Sequence, residues 1–139
     1  MSLANRISPQ VLGALRIVAG LLFVSHGLVK VIGFPAGAFP GQQDIASLFG
    51  VAGVVEIVTG ALITLGLFTR AAAFLASGEM AVGYFLVHAS KSFYPAVNGG
   101  DAAILFSFIF LYLAVAGAGA FSLDGRIRAP VAKAQSALA

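Results

Sequence analysis

VLGALRIVAGLLFVSHGLVKVIG, residues 11–33, is the stretch on which the fold turns. A hydrocarbon core needs about 20 residues of helix to cross it, and this apolar run has that length. It nevertheless carries Arg16, His26 and Lys30. Charge at membrane depth is expensive and is ordinarily turned toward a bundle interior or a water-filled cavity, so each of these residues is a candidate functional group. The stretch predicts a membrane protein with a polar interior.

Composition points the same way. Of 139 residues, 60% are hydrophobic and only 9% charged, whereas ordinary soluble domains are about 25% charged. The mean hydropathy is +1.01, and a soluble core of this size cannot hide so much apolar surface. One membrane domain spanning residues 1–139 is the expected organisation. The absence of cysteine removes thiol redox chemistry, disulfides and thiolate ligands from this chain's own repertoire. The net charge of +3 comes from the ends and one loop, where it reads as a topology signal rather than a nucleic-acid surface.

Outward from residues 11–33, the polar lead Met1 to Gln10 contains Arg6 and a Ser8-Pro9 pair suited to starting a helix. A signal peptide is the competing reading; it lacks a small-residue cleavage site, and Lys30 closes the run as a membrane helix end does. Three more spans are predicted over residues 45–68, 71–88 and 102–121. Glu56 interrupts the second and Glu79 the third, while the fourth is free of charge. Thr69-Arg70 is so short a link that spans two and three must be antiparallel neighbours. Phe34 to Asp44 and Ala89 to Asp101 are loops, and the basic segment 122–139 is a surface tail. Arg6, Arg70, Arg126, Arg128 and Lys133 fall on one side and only Lys30 and Lys91 border the other. The expected fold is thus an all-α, four-span integral membrane bundle with both termini cytoplasmic.

Three spans share a local pattern. GALRIVAG (residues 13–20), GVVEIVTG (53–60) and ASGEMAVG (76–83) each place a charge between small residues three before and four after it. At about 100° per residue these lie on the charged face, so backbones can approach beside Arg16, Glu56 and Glu79. With a rise of about 1.5 Å per residue, Arg16 lies about 9 Å from the cytoplasmic end, Glu79 about 13 Å and Glu56 about 18 Å. An arginine between two carboxylates leaves one of them to take up a proton, which makes Arg16, Glu56 and Glu79 proton-handling candidates; a purely structural ion triad is the alternative. Gly13, Gly20 and Gly27 recur every seven residues, as at a seam within the bundle or between copies in a homo-oligomer. Their angular closeness to Arg16 favours the interior.

A second group is expected at the opposite face. His26 and Lys30 are one helical turn apart, His88 ends the third span at similar depth, and Asn98 and Asp101 arrive from the third loop. Imidazoles, an ammonium, an amide and a carboxylate beside Phe23, Tyr84, Phe85 and Tyr94 suit a flat headgroup that needs hydrogen bonds and protons, as a quinone does. Blander roles compete: Lys30 snorkelling at a helix end, His26 bonded to a carbonyl, Asp101 capping the fourth helix. Haem ligation by His26 and His88 is conceivable on geometry, but no other feature supports it, and neither haem nor metal is expected.

Arg16-Ile17 through Gly20-Leu21, Ser25-His26-Gly27-Leu28 with Lys30, Gly53 and Glu56 with Gly60, Leu65-Gly66-Leu67-Phe68-Thr69-Arg70, Asn98-Gly99-Gly100-Asp101 and Ser122-Leu123-Asp124 together resemble the DoxX family of small bacterial membrane proteins. The resemblance runs from about residue 11 to 126, with NGGD here in place of the family's NGGE, a shorter carboxylate. It implies a four-helix protein of the bacterial cytoplasmic membrane, a component of a quinone-linked oxidoreductase or a redox-stress complex, partnered by soluble or membrane redox proteins. His26, Lys30, Glu56 and Asp101 carry over as motif positions. Two function classes therefore stand side by side. In one, quinone or quinol binds near His26, Lys30, His88, Asn98 and Asp101, with electrons passing to or from a partner. In the other, a non-catalytic scaffold uses Arg70 and the basic tail to recruit a soluble redox enzyme or anionic lipid. A transporter is a weaker third.

Overall fold

A computed structural model describes residues 2–127. Helices α1 (Leu3–Ile32), α2 (Leu48–Leu65), α3 (Thr69–Gly83), the short α4 (Pro95–Asn98) and α5 (Asp101–Ala116) follow in order, and α3 runs on through a wider π-helical turn over Tyr84–His88. With that extension, three of these helices are long and apolar enough to cross a membrane; α5, with 16 residues, is a shorter apolar helix. The protein is a multi-pass, all-α membrane protein.

The first helix starts earlier than the Ser8-Pro9 pair suggests. Ser2 is the N-cap, its hydroxyl accepting from the Asn5 amide, and Pro9 lies inside the helix. Pro9 is tolerated because the carbonyl it leaves without a donor belongs to Asn5, which is exposed. At the other end Gly33 takes the left-handed conformation that closes the helix. The fourth span departs in the opposite sense. Instead of continuing to residue 121, α5 ends at Ala116, because Gly117 at φ 91° and ψ −163° adopts a backbone region essentially reserved for glycine. Residues 117–122 then turn back across the bundle end, where the Ala120 amide donates to the Pro9 carbonyl. That bond places the beginning of α1 and the segment after α5 at the same end of the molecule.

α1 and α2 pack antiparallel along a glycine seam. A Cβ on Gly27 would lie 2.5 Å from the Gly53 carbonyl oxygen and 2.6 Å from Ile57 Cγ1, and one on Gly60 would lie 3.0 Å from the Gly20 carbonyl oxygen. The seam is therefore inside the bundle, as the angular closeness of these glycines to Arg16 suggests. In the third pattern the outcome differs, since Gly83 has open space where a Cβ would go. Gly27→Ala is expected to cost about 1–3 kcal/mol, measured by unfolding in mixed micelles, because backbone rather than a flexible side chain has to yield.

α3 pairs with α5 through reciprocal bonds, Ser77 Oγ to the Ser107 carbonyl at 2.8 Å and Ser107 Oγ to the Ser77 carbonyl at 3.1 Å. The two helix pairs meet over Phe23, Phe106 and Phe110, with Phe23 and Phe110 edge to face at 4.7 Å. Outside this core, large apolar side chains such as Leu22, Phe74, Phe85 and Phe108 face outward, the arrangement lipid requires.

Candidate functional site

The polar interior divides into two centres at opposite levels of the bundle. At the level of residues 117–122, Arg16 is completely buried. Its guanidinium makes five hydrogen bonds, all to carbonyls: Ala118, Ile63, Thr64, Ala120 and Phe121, at 2.5–3.2 Å. Ile63 and Thr64 lie in the last turn of α2, where carbonyls lack intrahelical donors and a cation suits the helix dipole. The others come from the returning segment, non-helical backbone that needs an internal partner at membrane depth. The expected Arg16–Glu56–Glu79 triad is therefore not formed. Arg16 lies level with Ile63 and Thr64, seven and more residues past Glu56, about 10 Å along α2. Nearby carbonyls satisfy it before a carboxylate can.

Glu56 instead pairs with Lys30, the ammonium 2.5 Å from its Oε1, with side-chain exposures of 1% and 14%. Lys30 thus points into the bundle rather than snorkelling outward. On the facing α3, Glu79 is close enough to feel the charges of both Glu56 and Lys30. Glu56 Oε2 and Glu79 Oε2 are each buried without a hydrogen-bond partner among the described residues. The ammonium pairs with Glu56 and not with Glu79 among the described residues, and one acceptor oxygen of each carboxyl group is left over. Such oxygens are costly in a low-dielectric interior unless a proton or a donor reaches them. His26, one turn before Lys30, is exposed and sets its ring edge-on to Phe106 at 5.7 Å. It borders this centre without a hydrogen bond to it among the described residues.

The remaining predicted binding residues lie apart. His88 Nδ1 shares a hydrogen bond with the Asn98 carbonyl at 3.0 Å, and its ring stacks on Tyr84. Buried Asn98 donates to the Ser92 carbonyl and, more weakly, to Tyr84 Oη, while its Oδ1 accepts from the Gly100 amide. These contacts fasten the loop onto the π-helical end of α3. Asp101 is exposed in the first turn of α5, where a carboxylate suits the positive helix end. The five residues expected to surround one headgroup thus separate: His26 and Lys30 with the carboxylates, His88 and Asn98 in a loop clasp, Asp101 at a helix start.

One structural residue escaped the chemical reading. Asp124 accepts from the amides of Phe68 and Thr69 at 2.9 Å each and so caps α3, whose preceding residue Phe68 has a positive φ of 48°. Only its place in Ser122-Leu123-Asp124 marked it. Arg70, a candidate for recruiting a partner, donates to the Ala114 and Val115 carbonyls. Arg128, Lys133 and most of the basic tail lie outside the described residues. Among the described residues no group of three or more His, Asp or Glu side chains is placed to hold a metal ion.

Comparison with known proteins gives two relatives and a family. A protein of Haemophilus influenzae, described as uncharacterized, is 42% identical over 130 residues, covering 91% of this chain and 97% of its own. A Mycobacterium tuberculosis protein, described as an uncharacterized membrane protein, is 33% identical over 132 residues, covering 81% of this chain and 78% of its own. No solved structure matches. The family model described as DoxX matches residues 11–89, which include Arg16, Lys30, Glu56 and Glu79.

Proposed function

The chain belongs to the DoxX family of membrane proteins, and from that premise we propose that it is the membrane component of a quinone-linked oxidoreductase or redox-stress complex, with Lys30, Glu56 and Glu79 receiving a quinol headgroup. The observation that carries this reading is the pair of buried, unpartnered oxygens, Glu56 Oε2 and Glu79 Oε2, beside one ammonium. In their ionised form these oxygens only accept, so a ligand that satisfies them there must donate. The hydroxyls of a quinol do so; the carbonyls of a quinone do not, and would turn to Lys30 or His26. Glu56 and Glu79 are placed to take the protons that leave when quinol gives up two electrons and two protons, and the electrons pass to a redox partner protein. Lys30 holds Glu56 in place and keeps the charge of the pair near neutral.

Arg16 has no part in this chemistry, since its donors are spent on carbonyls. In the proposed orientation Arg6, Arg70 and Arg126 face the cytoplasm of a bacterial inner membrane, following the excess of basic residues at that end. The scaffold alternative gains no support from the geometry at Arg70, whose Nη1 donates to α5 carbonyls.

The test is extraction and mass spectrometry of lipids co-purifying in mild detergent. Wild-type protein is expected to carry near-stoichiometric quinone or quinol, Glu56→Gln and His26→Ala to lose most of it, and Asp101→Asn to retain it. Equal retention in correctly folded Glu56→Gln would overturn the placement. Wild-type protein free of quinone that still captures a soluble redox enzyme would transfer the function to the scaffold class.

A further inference from the structure

At the end of the bundle that carries Arg16, a cavity of about 550 Å³ opens between the start of α3, the end of α5 and the helical segment over residues 123–127. Leu67, Phe68, Ala71 and Ile127 give it apolar walls, and Thr69, Arg70, Ser122 and Asp124 bring polar groups to it. Its volume falls within the range of about 300–1,000 Å³ typical of small-molecule sites, and its composition has the same character, apolar with a few polar groups.

Arg70 is held there by one edge. Nη1 donates to the Ala114 and Val115 carbonyls in the last turn of α5, at 3.2 and 2.5 Å. Nε and Nη2 make no hydrogen bond among the described residues. A Cβ on Gly117 would come within 3.3 Å of Nη2 and 3.5 Å of Nε, so the glycine keeps the space beside this edge clear. The Nε–Nη2 edge of a guanidinium is the fork that grips two oxygens of a phosphate or carboxylate. A second observation is independent of it: Thr69 is only 1% exposed, lines the same cavity, and its hydroxyl has no partner among the described residues. Asp124 lines the same cavity but makes no ion pair with Arg70. Its carboxylate is already spent on the amides of Phe68 and Thr69, which leaves the next helix amides, of Arg70 and Ala71, without intrahelical acceptors.

We propose that this cavity binds a phosphate-type anion, gripped by the free edge of Arg70 with the Thr69 hydroxyl beside it. The apolar walls and the position, where α3 begins and α5 ends, assign the anion to an amphiphile of the membrane whose hydrocarbon portion lies on Leu67, Phe68 and Ala71. The site is at the opposite end of the bundle from Lys30 and Glu56 and does not depend on quinol binding there.

The test uses the full chain in neutral detergent and follows thermal unfolding with three probes: dioleoylphosphatidylglycerol, dioleoylglycerol, which lacks the phosphate, and inorganic phosphate. Phosphatidylglycerol is expected to raise the unfolding temperature and dioleoylglycerol to leave it unchanged. Arg70→Gln is expected to weaken apparent affinity about tenfold or more, and Thr69→Val by a smaller factor. Inorganic phosphate protecting as well as the lipid, with the same losses in both variants, keeps the anion site and makes free phosphate its source. Equal protection by both lipids, or wild-type affinity in folded Arg70→Gln and Thr69→Val, overturns the proposal. Should Arg70→Gln fail to fold, Ala71→Leu fills the cavity without removing a donor; it is expected to abolish protection, and wild-type affinity in that variant is equally fatal.

Discussion

Replacing Arg16 by Met is expected to destabilise the protein by about 3–5 kcal/mol, read as a shift in reversible unfolding in mixed micelles. The estimate follows from what is left behind rather than from the lost charge. Five acceptor contacts disappear together, and carbonyls of the returning segment face hydrocarbon with no donor. The variant removes the expense of burying a guanidinium, which offsets part of the loss and keeps the figure from being larger. Arg16→Lys is expected to recover less than half of it, because three donors on a point charge cannot reproduce five donors spread over a plane. A change below about 1 kcal/mol in Arg16→Met would mean that the carbonyls find other partners and that the guanidinium does not hold the bundle end.

The second large effect is expected at Lys30. Lys30→Met leaves Glu56, 1% exposed in its side chain, without the ammonium at 2.5 Å, and an uncompensated buried charge costs about 3–5 kcal/mol. The double variant Lys30→Met with Glu56→Gln removes both charges and is expected to restore most of the stability, with a coupling of about 2–3 kcal/mol between the sites. Co-purified quinol makes the pair of measurements decisive. A purely structural ion pair predicts that the double variant recovers everything the single one lost. A proton-accepting site predicts recovered stability without recovered ligand.

Helix content and the polar interior were legible because they depend on local composition. Runs of about 20 apolar residues report spans directly, and the charges inside them report an interior. The limits of α1 and α5 were not, since the rules for Pro and Gly are positional tendencies. Pro9 resembled a helix start yet lies in an exposed lead where a lost hydrogen bond costs little. Gly117 resembled an ordinary small residue in an apolar run yet ends α5. The same glycine accounts for the error at Arg16: ending α5 early brings the 118–121 carbonyls over the guanidinium, and backbone acceptors carry no signature in a sequence. Pairing charge with charge was sound in kind and wrong in partner, with Lys30 taking the place given to Arg16. Asn98 and His88 look like ligands in the sequence because polar side chains near a membrane face suggest binding. Their partners are each other's loop, which only three-dimensional proximity reveals.

The bonds of Arg16 also set an order of events during synthesis. Arg16 lies in α1, which is made before α2 and α5, whereas the carbonyls of Ala118 and Phe121 are 102 and 105 residues further on in sequence. Until that last segment is made, the first helix resides in the insertion machinery or the bilayer with an arginine that only α2 can serve, through Ile63 and Thr64. A chain that stops short of residue 118 would keep an underbonded cation in its first span.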